Sequence, residues 1–470
     1  MLEASTYPEV KGPIVTVDTA PRLQYQRLPG DAPAQISPNA ALGVIAAGAV
    51  AVITLWWQDT ATVHSLGDWL TNAGRITGLL AGYAVVVLLA LMARVPALDR
   101  GVGTDRLARW HAMGGRYVVS LAVAHTLLII WGYAVTAHAG LLTQTGSLLT
   151  AYPDVLMATV ALGLLVGIGV ASARAARRRL AYETWHATHL YTYLAIALAF
   201  SHQFSTGADF RFNAGARWAW SVMYVAVAAL LLWYRLIAPI RAAQRHQLRV
   251  VQVRRENADV VSVYVTGRDL DRLRAEPGQF FRWRFLTREL WWAANPYSLS
   301  APPRPDLLRL TAKICGGHSS ALLRLRPGTR VIAEGPSGAF TAARRQQRKV
   351  LLLAGGVGIT PLRALFETLP GAPGDVCLLY RANTVADIVL RGELDQIAQQ
   401  RGAQVHYLIG PPKRGANDHL SAQRLQRLVP GLSRYDVFLC GPEPMMAAAR
   451  AGLQQAGVPR GHIHDESFTL

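Results

Sequence analysis

The sequence predicts an α-helical membrane bundle of six spans, followed by a β-strand domain and an α/β domain. Three observations predict it. Long apolar runs are confined to residues 41–239. Arginines gather in alternate connections between those runs. Near residue 246 the pattern changes to that of short β-strands.

Composition narrows the function classes. Of 470 residues, 51% are hydrophobic and 16% charged, which is more apolar than an ordinary soluble enzyme. A net charge of +19 would suit nucleic acid, but the arginines flank apolar runs, where membrane topology accounts for them. No nucleic-acid role is expected. Cys315, Cys377 and Cys440 are far apart with no CxxC, so neither a disulfide framework nor an iron–sulfur cluster is expected. Residues 1–40 are polar and proline-dotted, without the pattern of a leader peptide, and read as a cytosolic N-terminal segment.

A bilayer core needs about 20 apolar residues in a helix. Spans are expected near 41–57, 76–93, 113–135, 153–172, 186–202 and 217–239. Arg94, Arg100, Arg106 and Arg109 lie between spans 2 and 3, and Arg174, Arg177, Arg178 and Arg179 between spans 4 and 5. Arg241 and Arg245 follow span 6, whereas residues 136–152 contain no Lys or Arg. Both termini are therefore expected in the cytosol, with the inner (plasma) membrane as the location. A transporter would show Gly/Pro-interrupted helices at mid-membrane, and these spans show little of that.

Histidines inside such spans are costly and point to function. Span 3 carries His111 and His125, fourteen residues (125 − 111) and roughly 21 Å apart along a helix. Span 5 carries His186, His189 and His202. Thirteen residues (202 − 189) give roughly 20 Å and sixteen (202 − 186) roughly 24 Å, so His189 matches the depth of His111 better. The expectation is two haems, one between His111 and His189 near the cytosol, one between His125 and His202 near the far side. Zinc fits poorly, because a tetrahedral site needs its ligands together rather than in two layers. Thirteen residues leave a large angular offset on an ideal helix, which the sequence does not resolve.

In the second half, VVQVRR and VVSVYVTG read as strands, with further short strands to about 343. Within this region come Gly278-Gln279-Phe280, Asn295-Pro296-Tyr297-Ser298-Leu299-Ser300, Gly316-Gly317-His318-Ser319-Ser320 and Gly335-Pro336-Ser337-Gly338. From 344 onward strands and helices alternate. KVLLLAGGVGITPLRAL is a strand, a glycine turn and a helix start, and its glycines let backbone amides approach a pyrophosphate. VFLCGPEPMMAAAR repeats the logic at Cys440-Gly441-Pro442.

This order of motifs resembles the ferredoxin–NADP reductase family, and with the histidine-paired spans the whole resembles the ferric reductase and NADPH oxidase superfamily. The resemblance covers roughly 41–470. It implies a transmembrane haem domain (41–239), an antiparallel β-barrel FAD domain (245–343) and an α/β NAD(P)-binding domain (344–470). By similarity, Asn295, Pro296, Tyr297, Ser298, Leu299 and Ser300 lie along the flavin, and Gly316, Gly317, His318, Ser319 and Ser320 hold the FAD pyrophosphate. Gly355, Gly356, Val357, Gly358, Ile359, Thr360 and Pro361 resemble the dinucleotide phosphate turn. Cys440, Gly441 and Pro442 resemble the turn beside the nicotinamide, and Phe468 the aromatic that covers the flavin ring. Arg381, at the end of VCLLYRAN, is placed to meet a 2′-phosphate, which favours NADPH, with NADH as the second candidate. Two departures stand out. Asn295 replaces a charged residue at the start of the flavin motif, and Ile129 stands where oxygen-reducing members carry another histidine. Arg75 resembles an arginine near the outer haem of those oxidases; interfacial snorkelling is its other reading.

The resemblance implies electron transfer from cytosolic NADPH through FAD and two b-type haems to a small-molecule acceptor across the bilayer, ferric chelate or oxygen. A quinone or periplasmic protein is the alternative acceptor, and no particular protein partner is indicated.

Overall fold

A computed structural model describes residues 34–470, apart from 59, 61–62, 174–178, 180–181, 212, 412–417 and 467–470. The first half is helical. Its long helices are α1 (Pro38–Gln58), α2 (Leu66–Leu91), α3 (Thr104–Thr136), α4 (Val155–Ser172), α5 (Tyr182–Ser205) and α6 (Ala214–Leu232). Five helical stretches among the described residues are long and apolar enough to cross a membrane: α1 to α4 and the run Ala214–His246 that begins with α6. Helix α5 lies outside that set, because its histidines and Gln203 dilute its apolar length. The arginine-free stretch 136–152 contains a helix, Leu141–Ala151, rather than a plain loop.

Helix α2 starts ten residues earlier than its apolar run suggests. Ser65 caps it: its Oγ accepts from Asp68 N at 3.2 Å, and Asp68 Oδ2 accepts from Ser65 N at 3.0 Å. Helices α2 and α3 run against each other at a seam of small residues. A Cβ on Gly132 would stand 2.8 Å from Thr71 N, and one on Gly74 2.8 Å from Ile129. Helix α6 continues through a π-turn, Trp233–Ile237, into Ala238–His246. Pro239 has no N–H for the carbonyl of Arg235, and its ring crowds that carbonyl, so the regular ladder is interrupted just there.

The second half carries two three-stranded antiparallel sheets. One has the order β1 (Arg249–Arg255), β2 (Val260–Thr266), β5 (Leu307–Lys313); the other has β4 (Asn295–Ser298), β3 (Phe280–Phe285), β6 (Val331–Ser337). Isolated bridges Arg249↔Arg330 and Leu299↔Leu310 join them at both edges. Phe281, Trp283, Phe285, Val263 and Leu310 fill the space between. A five-stranded parallel sheet follows, in the order β11 (Ile463–Glu466), β10 (Tyr435–Cys440), β7 (Lys349–Gly355), β8 (Val376–Ala382), β9 (Gln404–Ile409). Its central strands are buried on both faces, as a sheet covered by helices requires. Helices α7 (Ile359–Thr368) and α8 (Arg391–Arg401) belong to this part.

Candidate functional site

The four membrane histidines meet in two layers. His111 and His189 have ring centroids 6.0 Å apart, and His125 and His202 6.4 Å. Two imidazoles on opposite sides of one metal ion, with bonds of about 2 Å, put their ring centres roughly 6 Å apart. Among the described residues no group of three or more His, Cys, Asp or Glu is arranged for a metal. A metal held between two such imidazoles would need its other ligands from a non-protein group, a requirement that a porphyrin would fit.

The backbone sets which ring nitrogen faces the partner. His125 Nδ1 lies 2.7 Å from the carbonyl oxygen of Gly74, His111 Nδ1 3.3 Å from that of Leu88, and His202 Nδ1 2.6 Å from that of Ala199. A carbonyl only accepts, so Nδ1 carries the hydrogen and Nε2 keeps its lone pair for a metal. His189 Nδ1 is buried without a hydrogen-bond partner among the described residues, and its ring stacks on Trp185 at 5.2 Å. The His189 ring leans on a residue four positions back, whereas His202 bonds to a carbonyl three back. His186 is exposed.

Arg75 does not snorkel. Its Nη2 donates to Asp209 Oδ1 at 2.5 Å, Nε to Asp209 Oδ2 at 3.3 Å, and Nη1 to Asn72 Oδ1 at 3.0 Å. Both Asp209 and Asn72 are buried. Ile129 packs on Gly74 beside the His125 layer.

In the sheet domain, Asn295-Pro296-Tyr297-Ser298 forms β4, and Leu299 and Ser300 follow it, fully buried. Asn295 Nδ2 lies 2.5 Å from His318 Nδ1, so the residue that replaces a charge in the flavin motif touches the expected pyrophosphate segment. Burial pushes the Tyr297 hydroxyl up to about 12. Gly317–Ala321 is a short helix, and Ser319 Oγ accepts from Cys315 N and Gly316 N at 2.8 and 3.1 Å. Cβ atoms on Gly316 and Gly317 would meet nothing within 4 Å, so this backbone faces open space.

The parallel sheet brings the remaining expected residues to the carboxyl ends of neighbouring strands. Gly355 pairs with Arg381, and Cys440 pairs with both Ala354 and Glu466. Ligands of open parallel sheets bind at this edge. Gly356, at φ +53°, turns the chain into the 3-10 turn Gly356–Gly358, and Thr360 Oγ1 donates to Val357 O at 3.0 Å. Ile359, Thr360 and Pro361 open α7 and are buried. A side chain at Gly358 would collide with the Cys440 carbonyl and stand 2.8 Å from Gly441 Cα, so the two turns touch only because glycines stand there. Pro442 caps the helix Glu443–Gln455. The Cys440 thiol is fully buried, and burial holds it well above the usual thiol range. Arg381 is also buried, with Nη1 on the carbonyls of Ala382 and Leu408. Phe468 lies outside the described residues.

Two features were missed in the sequence. Glu466 is buried, its Oε2 has no hydrogen-bond partner among the described residues, and burial with the nearby Asp105 charge holds its carboxyl well above the ordinary range. Asp105 comes from the start of α3, so the helical half reaches this edge. Its only signal was a carboxylate two residues before Phe468. The second is Glu393, which accepts from Arg309 at 2.7 and 2.9 Å, Arg363 at 2.9 Å and Arg254 at 3.1 Å. Arg309 Nη2 also donates to Ser300 O at 2.6 Å, which ties the end of the flavin motif to α8. Despite its burial, these guanidiniums hold the Glu393 carboxyl down to about 2. Nothing local in the sequence marks this hub.

Comparison with known proteins follows the same division. Residues 77–200 match the family described as ferric reductase like transmembrane component, and residues 352–451 match the oxidoreductase NAD-binding domain. The ferredoxin reductase component of 3-ketosteroid-9-alpha-monooxygenase from Mycolicibacterium smegmatis is 34% identical over 47% of this chain and 65% of its own length. The glycine betaine monooxygenase reductase subunit from Chromohalobacter salexigens is 31% identical over 48% of this chain and 64% of its own. The chain thus spans slightly under two thirds of the length of these relatives. The solved ferredoxin reductase in carbazole 1,9a-dioxygenase is 26% identical over 47% of this chain and 69% of its own, with a TM-score of 0.41. The helical half thus matches a ferric reductase like transmembrane component, and the second half an oxidoreductase NAD-binding domain.

Proposed function

We propose that the chain passes electrons from cytosolic NAD(P)H through FAD and two b-type haems to an acceptor on the far side of the membrane. The observation that carries this reading is the pair of imidazole layers, with centroids 6.0 and 6.4 Å apart. Bound FAD and haem would supply the redox chemistry, taking a hydride as two electrons and handing them on singly.

The chain's own residues orient and insulate. Carbonyls of Gly74, Leu88 and Ala199 fix the tautomers of His125, His111 and His202, and so present Nε2 to the metal. Gly355 to Pro361 offer backbone amides to a dinucleotide pyrophosphate at the start of α7. Gly316 to Ser320 do the same for the FAD pyrophosphate, with Asn295 and His318 beside it. A FAD barrel over 245–343 is supported by the bridges at both sheet edges, and an NAD(P) domain over 344–470 by the parallel sheet. Cys440 and Glu466, whose thiol and carboxyl are held by burial well above their ordinary ranges, line the edge where nicotinamide and flavin meet. Phe468 would cover the flavin there. Arg381, at the end of β8, would meet a 2′-phosphate, which favours NADPH. Six spans with both termini cytosolic follow if α5, which carries two of the four ligands, crosses with the others.

A second reading keeps the path and changes its end. The curated relatives are named as reductase components of oxygenases, so a protein acceptor stands beside ferric chelate, oxygen and quinone. NADPH oxidation by the full chain in vesicles, with each acceptor supplied in turn and superoxide monitored, decides among them. Purified, folded chain without haem absorbance would end the transmembrane electron-transfer reading.

A further inference from the structure

One carboxylate joins the end of the flavin motif to the helix that opens with the dinucleotide turn. Glu393 Oε1 accepts from Arg309 Nη1 at 2.7 Å and from Arg254 Nη2 at 3.1 Å. Its Oε2 accepts from Arg309 Nη2 and from Arg363 Nε, both at 2.9 Å. Arg254 lies on β1 and Arg309 on β5, in the antiparallel part; Arg363 lies on α7 and Glu393 on α8, in the parallel part. The bonds therefore cross from one part of the reductase half to the other.

Arg309 reaches further on the flavin side. Its Nη2 also donates to Ser300 O at 2.6 Å, and its Nε to Ser300 Oγ at 3.1 Å. Thr311 Oγ1 donates to Ser300 Oγ at 2.7 Å, and Ser262 Oγ lies 2.8 Å from Thr311 Oγ1. Ser262, Ser300, Arg309 and Thr311 are all buried, so Ser300 has little freedom to move. On the nucleotide side, Arg363 is buried two residues beyond Pro361 (363 − 361) on the same helix. Ser300, Arg309, Glu393 and Arg363 thus form one continuous path.

The cluster balances its own charge. Arg254 also pairs with Glu256 at 2.8 Å, and Arg363 with Glu367. Three guanidiniums face three carboxylates among the described residues, which leaves the cluster no excess charge with which to hold a phosphate. Arg309 and Glu393 meet through two bonds, a fork that fixes the relative plane of the two groups. A buried ion pair adds little net stability over apolar packing but demands strict geometry.

We propose that Arg309, Glu393 and Arg363 are positioning residues for hydride transfer. They act through Ser300 and α7 rather than on the reacting rings, and they set the distance and angle at which the nucleotide part presents nicotinamide to flavin. This rests on the reading of residues 245–470 as an FAD and NAD(P)H reductase. In the step concerned, a C–H bond of the reduced nicotinamide breaks and an N–H bond on the flavin forms. Both electrons move with the hydrogen, so the nicotinamide is oxidised and the flavin reduced. A misplacement of about 1 Å can cost such a step roughly a hundredfold in rate.

The test uses the full-length chain with FAD bound, NADPH or NADH as donor and ferricyanide as acceptor. Wild type is compared with Glu393→Gln, Arg309→Lys and Arg363→Lys, each well below its melting temperature. The lysine variants keep the charge and lose the planar geometry. In all three, kcat should fall about tenfold or more, with KM, NADP⁺ affinity and FAD content within about twofold of wild type. Nucleotide deuterated at its transferring carbon should give a larger isotope effect on kcat than in wild type, because hydride transfer has become the slow step. A mere loss of folded protein would lower the rate without raising that effect. Unchanged kcat and isotope effect in the flavin-loaded variants would overturn the positioning role while leaving the reductase reading intact. A fall in kcat/KM alone, with kcat unchanged, would also overturn it and assign the cluster to nucleotide binding. If Glu393→Gln loses FAD, the two lysine variants decide by the same readouts. Wild type that binds no FAD, or oxidises neither nucleotide, would instead remove the reductase reading.

Discussion

His125 Nδ1 lies 2.7 Å from the carbonyl oxygen of Gly74, one helix away. One turn on, His125 meets Gly78, where a Cβ would stand 2.6 Å from the same nitrogen. The spacing repeats: Leu88 and Gly74 are fourteen residues apart (88 − 74), as are His111 and His125 (125 − 111), and Leu88 O meets His111 Nδ1. Antiparallel α2 and α3 thus keep one register over both layers, and α2 presents a carbonyl to each histidine of α3.

Gly78→Val should displace the His125 ring and cost about 1–3 kcal/mol of local packing. The expected result is loss of one haem of two with FAD retained, read as the haem-to-flavin ratio by pyridine haemochrome and flavin absorbance. Wild-type ratio in this variant would mean that the contact is not tight in solution.

Removing ligands should respect the layers. His125→Ala and His202→Ala should each abolish the same haem signal, and His111→Ala and His189→Ala the other. His186→Ala should leave both, because His186 is exposed. Low-temperature spectra of the five variants check the pairing, and loss of a haem in His186→Ala would reassign the ligand on α5.

Glu393 joins the two parts of the reductase half, so Glu393→Gln should destabilise it by roughly 1–3 kcal/mol, since three guanidiniums lose their counter-charge. The pH dependence follows from the sign of the shift. The folded carboxyl is held down to about 2, below its unfolded value of about 4.3. Its stabilisation is therefore complete above about 4.3 and is lost as pH falls towards 2. Thermal melts across that window should show a steeper acid loss in wild type than in Glu393→Gln.

Glu466 should behave the opposite way. Its folded carboxyl titrates well above the ordinary range, so keeping it neutral costs stability as pH rises beyond about 4.3, until the folded value is reached. Glu466→Gln should therefore melt higher than wild type at neutral pH and equally at pH 4. Equal melting at both pH values would show that Glu466 ionises freely.

Much of this protein is legible in its sequence, because bilayer thickness and helix rise are local rulers. Apolar length marks the helices, and the spacing of His111, His125, His189 and His202 translates into two depths without knowledge of any neighbour. The strand–turn–helix motifs likewise place Gly355 and Cys440 at strand ends, since alternating strands and helices build a parallel sheet. Rotation of the helices is decided elsewhere. That His189 rather than His186 meets His111 is decided by packing, and which nitrogen faces inward depends on carbonyls of α2 for the two histidines of α3. Those carbonyls come within reach only because Gly74 and Gly78 let two backbones approach. Glu393 and the Glu466–Asp105 pair are farther from prediction still. Their chemistry arises from charges brought together across 84 to 361 positions of chain (393 − 309 and 466 − 105). A carboxylate acquires its character from the burial and charge around it, and only the folded chain supplies those.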